Sequence, residues 1–112
     1  ARRGFPSICA PMDALDQFCR AIPKVELHVH LLGATLPATF AEWAQRAGMP
    51  EAEADALYAR DAKPRGVLHI LRALEGRLLK RPADLHRIAY EHLAAAAAET
   101  VRHSEIFWNP TG

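Results

Sequence analysis

The chain has 112 residues, with 14 Lys and Arg against 13 Asp and Glu, for a formal charge of +1. Half of the residues are hydrophobic and 24% are charged, which suits a packed globular chain and excludes disordered or collagen-like ones. The length allows one small domain and is too short for a complete (β/α)8 barrel, which takes about 250 residues.

The charge balance gives no reason to expect nucleic acid as a partner. Residues 60–87 lean basic (Arg60, Lys63, Arg65, Arg72, Arg77, Lys80, Arg81, Arg87), with Asp61, Glu75 and Asp84 interleaved. That mixture reads as solvated helix faces, with a weak docking patch as the alternative. No run approaches the ~18 apolar residues of a membrane helix, so no membrane is expected. Arg2 and Arg3 are not followed by a long apolar segment, so no signal peptide is read. Cys9 and Cys19 make no disulfide scaffold. As ordinary thiols they point to a reducing compartment, with the cytoplasm as the default.

Residues 1–11 hold Gly4, Pro6 and Pro11 and read as an irregular arm ahead of a unit spanning 12–112. Residues 12–21 predict a short helix with Leu15, Phe18 and Cys19 on one side. Pro23 ends it, because the residue before a proline is pushed away from helical ψ. Val25 to Leu31 predicts a strand, broken at Gly33. Pro37 suits the first turn of a helix, and Phe40, Trp43, Ala44 and Ala47 follow as one apolar stripe. Gly48 fits a C-terminal cap and Pro50 prevents continuation.

A short helix is expected over 51–59, bearing Leu57 and Tyr58. Pro64 opens another, with Val67, Leu68, Leu71, Leu74 and Leu78 on a common face. Pro82 opens the longest, running to about Arg102, with Leu85, Ile88, Ala89, His92, Leu93 and Ala96 on its buried side. The Ala94 to Ala98 run favours helix and lets a neighbour approach closely. Residues 104–108 predict a second strand, and 109–112 are turn material. The order of strand, helices, strand is an enlarged βα unit of α/β class, whose two strands should lie parallel.

The chemistry concentrates in the first strand. Strict alternation places Val25, Leu27, Val29 and Leu31 on one face and Glu26, His28 and His30 on the other. The two imidazoles then stand roughly 7 Å apart at Cβ. Each can swing a ring nitrogen toward one ion, and zinc takes imidazole nitrogen at about 2.0–2.1 Å. By itself His-X-His is a weak pattern that reads more readily as half-buried polar positions on a strand, since two ligands do not complete a zinc site. Its place, at the C-terminal end of a strand just before a glycine turn, is where ligands collect in (β/α)8 enzymes.

Pro-Lys-Val-Glu-Leu-His-Val-His-Leu, at 23–31, resembles the opening of adenosine deaminases and their adenosine deaminase-like relatives in the amidohydrolase superfamily. His86 to Glu91 and Glu105 to Pro110 are similar to the family's long helix and second barrel strand. The resemblance spans about residues 12–112 and covers the first third of the family's catalytic domain. It implies the N-terminal portion of a (β/α)8 barrel: first strand, inserted helices, second strand. The remainder would come from further sequence or a second chain.

The implied activity is zinc-dependent hydrolytic deamination, in which metal-activated hydroxide attacks the amine-bearing carbon of a heterocycle and ammonia leaves. His28 and His30 would be two of the Zn2+ ligands. The other ligands and the proton-shuttling glutamate come from later strands in the family, so the catalytic residues cannot be assigned on this chain. Adenosine deaminases usually carry Asp or Glu, which contacts the sugar hydroxyl, where this chain has Leu32. An apolar side chain cannot make that bond, which directs the expectation to another aminated heterocycle, such as a free purine or a pterin-like ring. The alternative is that Leu32 points away and another group reads the ribose. Leu32, Gly33 and Leu71 are the candidates to touch the substrate.

Glu26 is expected as a carboxylate hydrogen-bonded inside the barrel, with a direct catalytic role as the alternative. Lys24, at the start of the strand, is expected to pair with a carboxylate. His69, His86, His92 and His103 share no ligand spacing and read as structural or exposed. Asn109 is a candidate to face the pocket. Two rival readings stand beside deamination: a non-catalytic helical module that binds a partner through its apolar stripes, and another amidohydrolase reaction such as amide or ester cleavage.

Overall fold

The computed structural model describes residues 13–58 and 68–108. The arm at 1–11, Cys9, the helix start at Pro64, Val67 and Asn109 therefore lie outside the described residues. Helix α1 (Ala14–Ala21) leads into strand β1 (Lys24–His30), followed by a 3-10 turn (Leu32–Ala34). Helices α2 (Pro37–Arg46), α3 (Glu51–Tyr58) and α4 (Leu68–Ala73) come next. A π turn (Leu74–Leu78) extends α4; then come α5 (Pro82–Ala98) and strand β2 (Val101–Phe107). The strands pair in parallel, as the strand–helices–strand order requires.

Local chemistry explains most boundaries. The Asp13 carboxylate accepts the Asp16 backbone N–H at 2.8 Å and caps α1. α2 begins at Pro37 and ends in a left-handed Gly48 (φ 70°). There Gly48 N–H reaches Gln45 O at 3.0 Å and Met49 N–H reaches Ala44 O at 2.9 Å, the double closure of a Schellman motif. The core gathers Phe40, Trp43 and Ala44 of α2 with Ile70, Leu74, Leu78 and Ile88.

Four expectations are corrected. The stripe after Pro64 is led by Ile70 rather than Leu68: Ile70, Ala73, Leu74 and Leu78 are buried, Leu71 is half-buried and Leu68 is 59% exposed. Ala47, at the α2 cap, and Leu93 are exposed. α5 stops at Ala98, not near Arg102, and β2 starts at Val101, not 104. Thr100 turns the chain there with φ 59°, and Lys24 N–H donates to Thr100 O at 3.1 Å, so pairing with β1 takes residues the helical pattern had claimed.

The fourth correction concerns β1. Glu26 pairs with Ser104 and Val29 with Ile106, so β1 advances three residues where β2 advances two. One extra residue on a strand is a bulge, and it breaks the strict alternation of sides. Val25 and Leu27 do not pack beneath the helices: they are 59% and 61% exposed. Glu26 takes the helix side instead, with its carboxylate against His92 of α5 and Ser104 of β2. Among the described residues Lys24 pairs with no carboxylate: its ammonium donates to Thr100 Oγ1 at 3.1 Å and Ile22 O at 3.2 Å, tying the strand starts together.

Candidate functional site

β1 delivers His28 and His30 to its C-terminal end. Their Nε2 atoms lie 3.0 Å apart and the ring centroids 4.9 Å apart, inclined by 63°. Two nitrogens bound to one tetrahedral zinc at 2.0–2.1 Å would stand about 3.3 Å apart. The observed spacing serves either a hydrogen bond between two neutral tautomers or a shared ion after a small ring movement. The donor set therefore fits two of the four positions of a zinc site. Among the described residues no third His, Cys, Asp or Glu joins the pair.

Phe107 of β2 closes one side of the pair. Its ring centroid lies 4.5 Å from that of His28, at 31°, and 6.1 Å from that of His30, at 37°. A cleft of about 630 Å3 opens beside the histidines. Gly33, Leu36 and Tyr58 form part of its wall, and Glu26 and His92 also line it. Thr35 buttresses that wall: its hydroxyl donates to Leu32 O at 2.7 Å, and its carbonyl accepts the Tyr58 hydroxyl at 2.7 Å. The Thr35 and Tyr58 hydroxyls are thus engaged within the protein.

The candidates from sequence fall in different places. Gly33 lines the cleft. Leu32 does not: it is 7% exposed and belongs to the hydrophobic core, because the 3-10 turn carries it inward. Leu71 is partly buried against that core and away from the cleft lining. Glu26 is hydrogen-bonded by Ser104 Oγ at 2.9 Å, beside His92 of α5, and lines the same cleft as the imidazoles. His92 comes to the cleft, which its sequence spacing did not suggest. Its buried Nε2 is 3.2 Å from Glu26 Oε2 without hydrogen-bond alignment. His69 is exposed, exposed His86 stacks on Tyr90, and exposed His103 lies 3.5 Å from Glu105. Cys19 is exposed. Thr35, Leu36 and Tyr58 carried no local signal, since only the folding of α3 against the turn after β1 brings them together.

The parallel βα unit, with polar donors at the C-terminal end of its first strand, is the arrangement of an α/β protein that places its site on that strand end. The chain belongs to the adenosine deaminase family, whose model matches residues 23–112. It is 35% identical over 103 residues to an adenine deaminase of Albidiferax ferrireducens, covering 88% of this chain and 29% of that one. It is 38% identical over 104 residues to an adenine deaminase of Streptomyces coelicolor, covering 89% and 29%. The structure resembles the crystal structure of an amidohydrolase from Burkholderia ambifaria with bound Zn, with a TM-score of 0.80 and 57% identity. That likeness covers 94% of this chain and 30% of that one. The chain thus spans about three tenths of the length of the relatives it matches. No helix among the described residues is long and apolar enough to cross a membrane.

Proposed function

We propose that this chain is the opening segment of a zinc-dependent hydrolytic deaminase with a (β/α)8 barrel, acting on an aminated purine-like heterocycle. The observation that carries the reading is the pair of Nε2 atoms, 3.0 Å apart, at the end of β1. The adenine deaminase relatives and the amidohydrolase with bound Zn support it. His28 and His30 would hold the ion, with the remaining ligands supplied by later strands. When bound, zinc supplies Lewis-acid activation of water at neutral pH. Oxygen replaces the amine on the ring carbon and one ammonia leaves for each water consumed.

This segment's own contribution is to hold the two imidazoles and to wall one side of the cleft. Along Gly33, Leu36 and Tyr58 that wall is largely apolar, which suits the flat face of a heterocycle. Leu32 is turned into the core and reads no part of a substrate, so the preference for a free base over a nucleoside rests on the adenine deaminase relatives.

The test uses the full-length protein. Metal content is measured alongside ammonia release from adenine, adenosine and aminopterins. His28→Ala and His30→Ala are expected to lose bound zinc and ammonia release together. Ammonia release retained by the metal-free double variant would overturn the proposal. Hydrolysis of amides or esters with no ammonia from any aminated ring would shift it to another amidohydrolase reaction.

A further inference from the structure

We infer that Phe107 is a positioning residue for the metal-binding imidazoles, setting the ring of His28 so that its Nε2 faces that of His30. The inference rests on the reading of His28 and His30 as ligands. The strand pairing holds Phe107 against the end of β1: His30 and Phe107 are register partners, and Leu31 N–H donates to Phe107 O at 3.0 Å. With its backbone held at the last rung, the Phe107 ring is delivered onto His28 at 4.5 Å and 31°. That spacing is at the close end of the range for offset aromatic pairs.

Phe107 is 47% exposed and is not a member of the hydrophobic core. An imidazole at the end of a strand has a broad χ2 well and can turn its nitrogens through a wide arc. A flat ring packed along one side removes part of that arc before any ion arrives. Ligand rings are usually oriented by hydrogen bonds from a second layer of residues, and loss of such a partner typically weakens metal binding 10–100-fold. Here an apolar ring supplies the same restriction through shape. Among the described residues, the ring contacts of His28 are with His30 and Phe107.

The experiment measures zinc affinity of the full-length protein by chelator competition, together with the visible spectrum of the cobalt-substituted form. Phe107→Leu, which keeps apolar bulk but loses the flat ring, is expected to weaken zinc binding about tenfold and to alter the cobalt bands. Phe107→Tyr, which restores the ring, is expected to match the wild type in both. Phe107→Ile, a better strand former, replaces the leucine variant if the latter folds poorly by circular dichroism. Wild-type affinity and an unchanged cobalt spectrum in the leucine or isoleucine variant would overturn this inference alone, provided His28→Ala still abolishes binding. Zinc binding indifferent to His28→Ala would overturn the ligand reading and this inference with it.

Discussion

Arg46 of α2 grips Asp84 of α5 with both ends of its guanidinium fork: Nη1 to Oδ1 at 3.0 Å and Nη2 to Oδ2 at 2.8 Å. Arg46 Nη2 also donates to Leu78 O at 2.7 Å, so one side chain fastens α2, the π turn and the start of α5. Asp84 is only 3% exposed and accepts the backbone N–H groups of Lys80 and Arg81 at 2.9 and 3.2 Å. The Arg46 hydrogen bonds hold its carboxyl well below the usual carboxylate range, outweighing the opposing effect of burial. A carboxyl depressed in the folded state contributes stability that is complete above its unfolded pKa of about 3.9 and fades as pH falls below it. Urea midpoints from pH 7 to 3 should therefore drop more steeply below about pH 4 for the wild type than for Asp84→Asn. At pH 7, Asp84→Ala should cost about 3 kcal/mol, because Arg46 and two backbone donors lose their acceptor. A loss below half of that would mean water replaces the carboxylate.

Leu74 and Leu68 lie on different sides of one helical run, and the two should separate cleanly in a stability measurement. Leu74 is fully buried beside Trp43 and Phe40 in the core, so Leu74→Ala should destabilise by about 2–5 kcal/mol. Leu68→Ala should stay within about 0.5 kcal/mol. Equal effects would contradict the facing of α4.

Thr100 combines a left-handed backbone with a hydroxyl that bridges two segments. Thr100 Oγ1 lies 2.6 Å from Ile22 O and accepts from Lys24 Nζ at 3.1 Å. Thr100→Ala keeps the strain and loses those bonds; Thr100→Gly loses the bonds but releases the strain. The glycine variant should therefore be more stable than the alanine variant by about 1 kcal/mol, read as the difference in urea midpoints.

Gly48 and Gly33 should respond differently to an added methyl group. At Gly48 there is open space, but φ is 70°, so Gly48→Ala should cost about 1 kcal/mol from the backbone alone. At Gly33 a Cβ would meet His30 Cβ at 3.7 Å, an ordinary contact. Gly33→Ala should leave thermal stability nearly unchanged. Any loss of ammonia release in that variant would then report on the cleft wall.

The sequence by itself determined the elements whose signals are local. Pro23, Pro37, Gly48 and Pro82 mark boundaries through φ restriction, a missing donor or an accessible positive φ, and these act within one or two residues. The apolar period gave α2 its buried face, and the strand–helices–strand order gave parallel pairing. The histidine pair was visible as a pair because two residues' spacing along a strand is fixed by the backbone.

Tertiary structure decided what depends on residues far apart in the chain. α5 yields to β2 at Thr100 because Val101 to His103 gain a strand partner in β1, which no helical pattern anticipates. The bulge between Glu26 and Val29 breaks the alternation at His28, since register is set by both strands together. Asp84 looked like one charge among many until Arg46 reached it from 38 residues away. Phe107 meets His28, and Tyr58 meets Thr35, only after the chain has folded, because a side chain's neighbours follow from packing and not from its own propensity.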